Sequence, residues 1–284
     1  MRIGTTLIPL VGWWLDPQRP EAGRSRHLEA IRILVEKHKI KAIELNGDFA
    51  MLYPQAISKG YYELVAGLQE ELGFACTLHL PFLWLDGASL NEPARQATMR
   101  SVEQVVEATD SLLIESYVFH LWGMWTSLLT GIQDLPTEEK EGFLNEILLR
   151  AERTLTELGG LLAPETICVE NLERFPFEYV APMIERLGMS VCFDVGHLVK
   201  TGGDALAFLD QHWKLIGEIH LHDALPGGEG GERGRDHLPL GNGKVDFEAF
   251  METLERRGYD KVLILEVNTE DDLLQSLERV RPWL

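Results

Sequence analysis

The chain has 284 residues, 45% hydrophobic and 25% charged, with 45 acidic against 26 basic side chains and a formal net charge of -19. This is long enough to bury a sizeable core, and the balance is that of a soluble globular protein. The acidity disfavours nucleic acid as a partner, because Arg24/Arg26, Arg233/Arg235 and Arg256/Arg257 are only pairs and no basic run appears.

In chain order, Arg2 to Ile8 predicts a first strand, followed by a loop rich in Gly, Pro and Trp to about Gly23. Leu28, Ile31, Leu34 and Val35 then recur at helical spacing. Ile40 to Leu45 predicts a second strand, and Tyr61, Leu64, Val65, Leu68 and Leu72 the next helical face, closed by Gly73. Phe74 to Leu80 is a third strand stopped by Pro81, with Asn91 placed to cap the helix that carries Val102, Val105, Val106 and Leu112. Glu115 to Leu121 is a fourth strand, and a long loop to about Pro136 precedes the helix bearing Leu144, Ile147, Leu148, Ala151 and Leu155. Thr166 to Glu170 is a fifth, with Phe177 to Leu187 as its helix; Ser190 to Asp194 is a sixth, with a helix around Asp204 to His212. Ile216 to Leu221 is a seventh, followed by a Gly-rich loop to about Val245 and the helix of Phe247, Phe250, Met251 and Leu254. Lys261 to Val267 is an eighth, and Leu273, Leu274, Leu277 and Val280 close the chain.

Most of these strands are near-continuous apolar runs, as parallel strands covered on both faces should be. Eight β–α units in one chain of this length predict a single-domain α/β protein spanning 1–284, a closed (β/α)8 TIM barrel. An open doubly wound sheet is the alternative, lowered by the lack of a Gly-x-Gly-x-x-Gly after the first strand. Cys76, Cys168 and Cys192 lie in apolar runs with no pairing pattern, which reads as buried thiols in a reducing compartment. Met1 to Leu15 is apolar but holds Pro9 and Gly12 and is too short to span a membrane, so a cytoplasmic location is expected.

Active sites of such barrels form where the strands end. Strand three ends at His79, strand four at His120 and strand five at Glu170-Asn171. Strand six ends at Asp194 with His197 just beyond; strand seven gives His220, His222 and Asp223; strand eight gives Glu266; and His237 lies in the loop after strand seven. A lone Asp here caps a helix as readily as it binds a metal, and a lone His packs as readily as it ligates. Together these side chains converge on one axis, and that many carboxylates and imidazoles call for cations. His220 and His222 share a face at different depths; the deeper His220 is the expected ligand, with His222 behind it or against substrate.

These residues resemble the xylose isomerase-like barrel superfamily, which includes endonuclease IV and many sugar isomerases and epimerases. The segments carrying the likeness are His79-Leu80-Pro81, Val118-Phe119-His120, Val169-Glu170-Asn171, Cys192 to His197, Ile219 to Asp223, His237 to Gly243 and Leu265-Glu266-Val267. In the epimerase-like pattern, Glu170, Asp194, His220 and Glu266 match the ligands of a single metal, and Glu170 and Glu266 double as acid and base. The phosphodiesterase-like pattern adds His79, His120, His197 and His237 and implies up to three ions, zinc or manganese. It has an Asp two residues before the last His, where this chain has Arg235; Asp236 is expected to point elsewhere, so two ions are expected rather than three. The extra histidines favour a metal-dependent hydrolase of a phosphoester in a small molecule, with a sugar isomerase or epimerase as the alternative. The chain also resembles the bacterial cobamide-remodelling phosphodiesterases, although its Gly-Asn-Gly-Lys-Val-Asp-Phe segment is closer to the sugar isomerases.

Five of the seven tryptophans, Trp13, Trp14, Trp84, Trp122 and Trp125, fall in loops at this rim, as walls for an apolar or planar ligand or as ordinary packing. Trp13, Trp84, Trp122, His222 and Arg235 are the expected substrate contacts. The long loops after strands four and seven are candidate lids. The expected partners are a small-molecule substrate and a second copy of the chain as a homodimer, with no nucleic acid and no membrane.

Overall fold

The computed structural model describes residues 1–123, 126–127, 137–173, 175–227 and 234–284. Among the described residues ten strands appear in chain order: β1 (Arg2–Thr6), β2 (Ala42–Asn46), β3 (Ala75–His79), β4 (Ile114–Phe119), β5 (Ile167–Glu170), β6 (Ser190–Asp194), β7 (Ile216–Leu221), β8 (Asp223–Leu225), β9 (Arg235–Leu238) and β10 (Val262–Leu265). Eight of them close into a parallel barrel in the order β1-β10-β7-β6-β5-β4-β3-β2, and helices cover its outside. The expected TIM barrel is therefore the observed one, with β6 and β7 at the expected bounds. Among the described residues no helix is long and apolar enough to cross a membrane.

The barrel interior is built in layers, because residues two apart on a strand face the same way. Ala42, Ala75, Val262 and Ile264 form an apolar floor. Gly4 of β1 completes it, since a Cβ there would lie 2.5 Å from the Ala42 carbonyl oxygen and 2.7 Å from Ile264 Cδ1. Two residues further along their strands stand Glu44 and Thr77, with Cys168, Cys192 and Glu218 of β5, β6 and β7 beside them, all buried. The next layer holds His79, Glu170, Asp194 and His220, and His120, His222 and Glu266 stand just past the strand ends at the C-terminal rim. Burial pushes the three thiols up, and all three cysteines are free, as expected.

Two local expectations need correction. The segment after β5 is not one helix from Phe177 to Leu187: a 3-10 turn, Phe177–Tyr179, precedes a short helix, Ala181–Arg186. Pro182 has no N–H to continue a helix begun earlier, but it suits a first turn. The segment after β7 is more than a loop, because β8 and β9 pair as an antiparallel ribbon standing on the rim. The loop expected after strand four and the glycine-rich stretch lie largely in 128–136 and 228–233, outside the described residues, as does Trp125.

Candidate metal centre and active site

Four structural devices shape the rim. Asn171, the residue after β5, clamps the end of β6: its Nδ2 donates to the Asp194 carbonyl oxygen and its Oδ1 accepts from the Asp194 N–H, both at 2.8 Å. Asp194 in turn caps the helix Val195–Lys200, its Oδ1 accepting from the His197 N–H at 2.6 Å. The cap fixes one oxygen and leaves Oδ2 aimed at the barrel axis, so the helix-cap and ligand readings hold together. Gly196 makes room for the neighbouring strand: a Cβ there would come 1.9 Å from Cε1 of His222. Asp223 is structural, since its two oxygens accept from the amides of Ala224, Gly241, Gly243 and Val245 at 2.8–2.9 Å and shape the turn after β9.

Within this frame Glu170 is central and 1% exposed. Its Oε2 lies 3.0 Å from His120 Nε2 and 3.4 Å from His79 Nε2; its Oε1 lies 3.5 Å from His197 Nε2. Asp194 Oδ2 lies 3.0 Å from His222 Nε2 and 3.8 Å from His197 Nε2. His220 is the deeper of the two histidines, grouped with Glu170 and Cys192. Its Nε2 faces Glu44 at 3.2 Å, and its Nδ1 faces Glu266 Oε2 at 3.1 Å and Glu170 Oε2 at 3.8 Å. The imidazole at the Asp194 carboxylate is thus that of His222 rather than His220. His237, with φ of 49°, packs against His222 at a centroid distance of 4.3 Å, its ring tilted by 34°.

The donor set suits a divalent metal. His79 Nδ1 lies 3.0 Å from the Leu80 carbonyl oxygen and His237 Nδ1 lies 3.2 Å from the Glu266 carbonyl oxygen. With that N–H so used, each ring turns its Nε2 lone pair inward, the arrangement typical of ligating histidines. A lone pair facing a carboxylate needs a cation between them. His79, His120 and Glu170 bring their ligand atoms within 4.8 Å of one another, as do Asp194, His197 and His222, and also His222, His237 and Glu266.

The same crowding sets the ionisation. Burial opposes charge on His79, but the Glu170 hydrogen bond and the Glu44 and Glu170 charges raise it to about 9. Burial likewise opposes charge on Glu170, yet His120 and His79 hold its carboxyl well below the usual range. Asp194 is held low against burial by His197 and His222, and Glu266 by His220 and His237. His237 moves the other way, lowered chiefly by burial. In the layer below, burial and the Glu44 charge raise Glu218 to about 8, and Ser116 hydrogen-bonds to it.

Above the donors opens a cavity of about 530 Å³, walled by Ile8, Trp13, Phe82, Trp84 and Trp122. Trp13 stacks on Phe49 with centroids 5.7 Å apart. Trp84 is 83% exposed at φ of 60°, on a loop whose Phe82 and Leu83 amides are held by the Asp48 carboxylate. Trp122 is buried against Phe175, so it is a fixed wall and not an open stacking platform. Trp14 is exposed and packs edge-on against Tyr53. Arg235 is exposed on β9 and is not among the cavity walls. Asp236, expected to point elsewhere, reaches the cluster instead: its Oδ2 lies 3.4 Å from His197 Nδ1. Glu44, Glu218, Glu173 and Lys200 were not singled out from the sequence. Glu218 stands two residues before His220 on the same strand face, which was the available signal.

A closed parallel barrel with an imidazole–carboxylate cluster at its C-terminal rim defines a TIM-barrel protein with a candidate metal centre. The model of the xylose isomerase-like TIM barrel matches residues 5–283, and the chain belongs to that family. It is 26% identical over 221 residues to an uncharacterized protein of Methanocaldococcus jannaschii, covering 76% of this chain and 72% of that one. Among solved structures it is similar to a D-tagatose 3-epimerase-like protein, with a TM-score of 0.75 and 22% identity over 100% of this chain and 97% of the other. It is also similar to endonuclease IV from Thermus thermophilus, with a TM-score of 0.64 and 20% identity over 100% and 98%. At these identities the two structures speak for the fold alone.

Proposed function

We propose that the protein is a metal-dependent phosphoesterase acting on a small molecule. The observation that carries this is Glu170, whose carboxylate stands between two imidazole groups, His79 and His120 on Oε2 and His197 on Oε1. A carboxylate so placed offers a donor oxygen to each group. His79, His120 and Glu170 would hold one ion, and Asp194, His197 and His222 another, with His237 and Glu266 grouped beside His222. Zinc or manganese held there would supply Lewis acidity and lower the pKa of water.

The chain's own part follows from its geometry. The cavity admits the substrate from the Trp13 and Trp84 side, and the buried Trp122 and half-buried Phe82 walls limit water. Water attacks phosphorus, the ester P–O bond breaks, and Glu266 takes the water proton and returns it to the leaving oxygen. His220 Nδ1, 3.1 Å from Glu266 Oε2, orients that carboxylate from below.

A second reading, a sugar isomerase or epimerase with one metal, is supported by one feature. Glu170 and Glu266 both approach His220 Nδ1, at 3.8 and 3.1 Å, and so flank a common point as an acid–base pair must. The D-tagatose 3-epimerase-like neighbour belongs with this reading.

Metal analysis separates the two. Protein purified without chelator is expected to hold about two zinc or manganese ions per chain and to hydrolyse bis(p-nitrophenyl) phosphate. His79→Ala is expected to lose one ion and the hydrolysis together. One ion in the wild type, retained in His79→Ala, would establish the isomerase reading instead.

A further inference from the structure

Around His197 Nδ1, at the edge of the cavity that Glu173 also lines, lies a second group of donors that the proposed reaction does not use. Glu173 Oε1 and Asp236 Oδ2 each stand 3.4 Å from His197 Nδ1. One nitrogen and two carboxylate oxygens converging in this way form a three-donor nest for a divalent ion. It already contains a cation. Lys200 Nζ lies 2.5 Å from Glu173 Oε1 and 2.6 Å from Asp236 Oδ2.

The lysine is built into this position. It ends the short helix that Asp194 caps, three residues after His197, so helix geometry sets it beside that imidazole. Its stem passes the backbone at Gly234, where a Cβ would come 2.8 Å from Lys200 Cγ. The side chains are mostly enclosed: 23% exposed for Lys200, 26% for Glu173, 21% for Asp236 and 13% for His197. His197 Nδ1 has no well-aligned hydrogen-bond partner despite its two carboxylate neighbours.

We propose that Lys200 is a tethered cation that occupies this nest in place of a metal ion and thereby limits the number of ions the protein holds. The inference deepens the metal-dependent reading and rests on it for the role of His197. An imidazole offers one lone pair at a time. With Lys200 balancing Glu173 and Asp236, the negative charge of those carboxylates 3.4 Å away favours a proton at Nδ1, and the lone pair at Nε2 then faces Glu170 and Asp194. An ion in the nest would compete for the same ring from the other side.

The test is zinc titration of chelator-stripped protein by calorimetry, with zinc content read independently after gel filtration. Lys200→Ala and Lys200→Met are both prepared, and the soluble, folded one is used. Either is expected to bind one zinc more per chain than the wild type, with the wild-type ions bound about 10- to 100-fold more weakly, because His197 is shared. Adding Asp236→Asn is expected to return the count to that of the wild type. A Lys200 variant with the wild-type count overturns the proposal while leaving the metal-dependent reading intact. An additional ion that survives Asp236→Asn also overturns it. A wild type that binds no zinc defeats the metal-dependent reading, and a Lys200 variant that then binds one still supports the nest.

Discussion

Two clusters of buried charge in this molecule differ in how completely they are closed. One lies outside the barrel, between the helices Glu92–Ala108 and Thr137–Leu161. There the Arg95 side chain is 1% exposed and spends all five N–H donors on Glu92, Glu157 and Thr154, at 2.9–3.0 Å. The other is the rim. It mixes carboxylates with imidazoles, and it leaves buried atoms such as His197 Nδ1 and Glu44 Oε1 without hydrogen-bond partners. The Arg95 guanidinium shows charge that serves packing, with only Nε of the neighbouring Arg150 left over, whereas several unspent donors and acceptors at a cavity mark a place made for something else.

Substitution should split the two clusters in opposite directions. Glu266→Gln is expected to lower hydrolysis about 10²- to 10⁴-fold, as loss of an acid–base group does, with little change in the denaturation midpoint of the metal-free protein. Arg95→Met should do the reverse, costing roughly 2 kcal/mol of unfolding free energy, since Glu92 and Glu157 can still reach water. Its metal content and kcat should be unchanged. The contrast fails if Arg95→Met strips metal, or if Glu266→Gln unfolds the chain without touching turnover.

The sequence shows one side of this contrast far better than the other. The strands are legible because a barrel strand covered on both faces must be apolar almost throughout, as Val191-Cys192-Phe193 and Val262 to Leu265 are. The rim residues are legible because a charge at the end of such a run has few other reasons to be there. Glu44 and Glu218 were missed because one acidic residue within a strand reads as facing solvent, and only the closed barrel shows that their face is the axis. The depths of His220 and His222 depend on strand tilt and stagger, which spacing does not encode. The reach of Asp236 to His197 and Lys200 depends on the β8–β9 ribbon, whose pairing crosses a glycine-rich segment with little pattern of its own.

Acid titration sharpens the contrast next, through histidines inside and outside the rim. His27 is buried beside Tyr61 and Phe49, and burial, with a smaller contribution from Arg26, lowers it to about 4. The unfolded chain takes up this proton near 6.5 and the folded chain only near 4, so stability falls as pH drops through that window, by about 3 kcal/mol. His79, raised to about 9, has the opposite sign: its contribution is complete below 6.5 and is lost as pH rises through 9. Urea denaturation of the metal-free protein from about pH 4 to 9 should show both slopes. His27→Met should flatten the acid side alone. An unchanged acid slope in that variant would assign the effect to the rim carboxylates instead.

The smallest expected effect concerns backbone strain, which should also belong to the rim side of the comparison. Trp84 adopts φ of 60° while 83% exposed, so it carries the left-handed penalty of a residue with a Cβ and recovers little by burial. The Asp48 carboxylate, holding the amides of Phe82 and Leu83 just before it, keeps the turn in place. Asparagine tolerates this conformation better, so Trp84→Asn should stabilise the protein by about 0.5–1 kcal/mol. If the indole stacks on substrate at the cavity mouth, the same variant should raise KM for bis(p-nitrophenyl) phosphate several-fold while leaving kcat nearly unchanged, as loss of uniform binding does. A gain in stability with an unchanged KM would make Trp84 a strained surface residue, and the cavity's recognition would then rest on Trp13 and the fixed wall of Trp122.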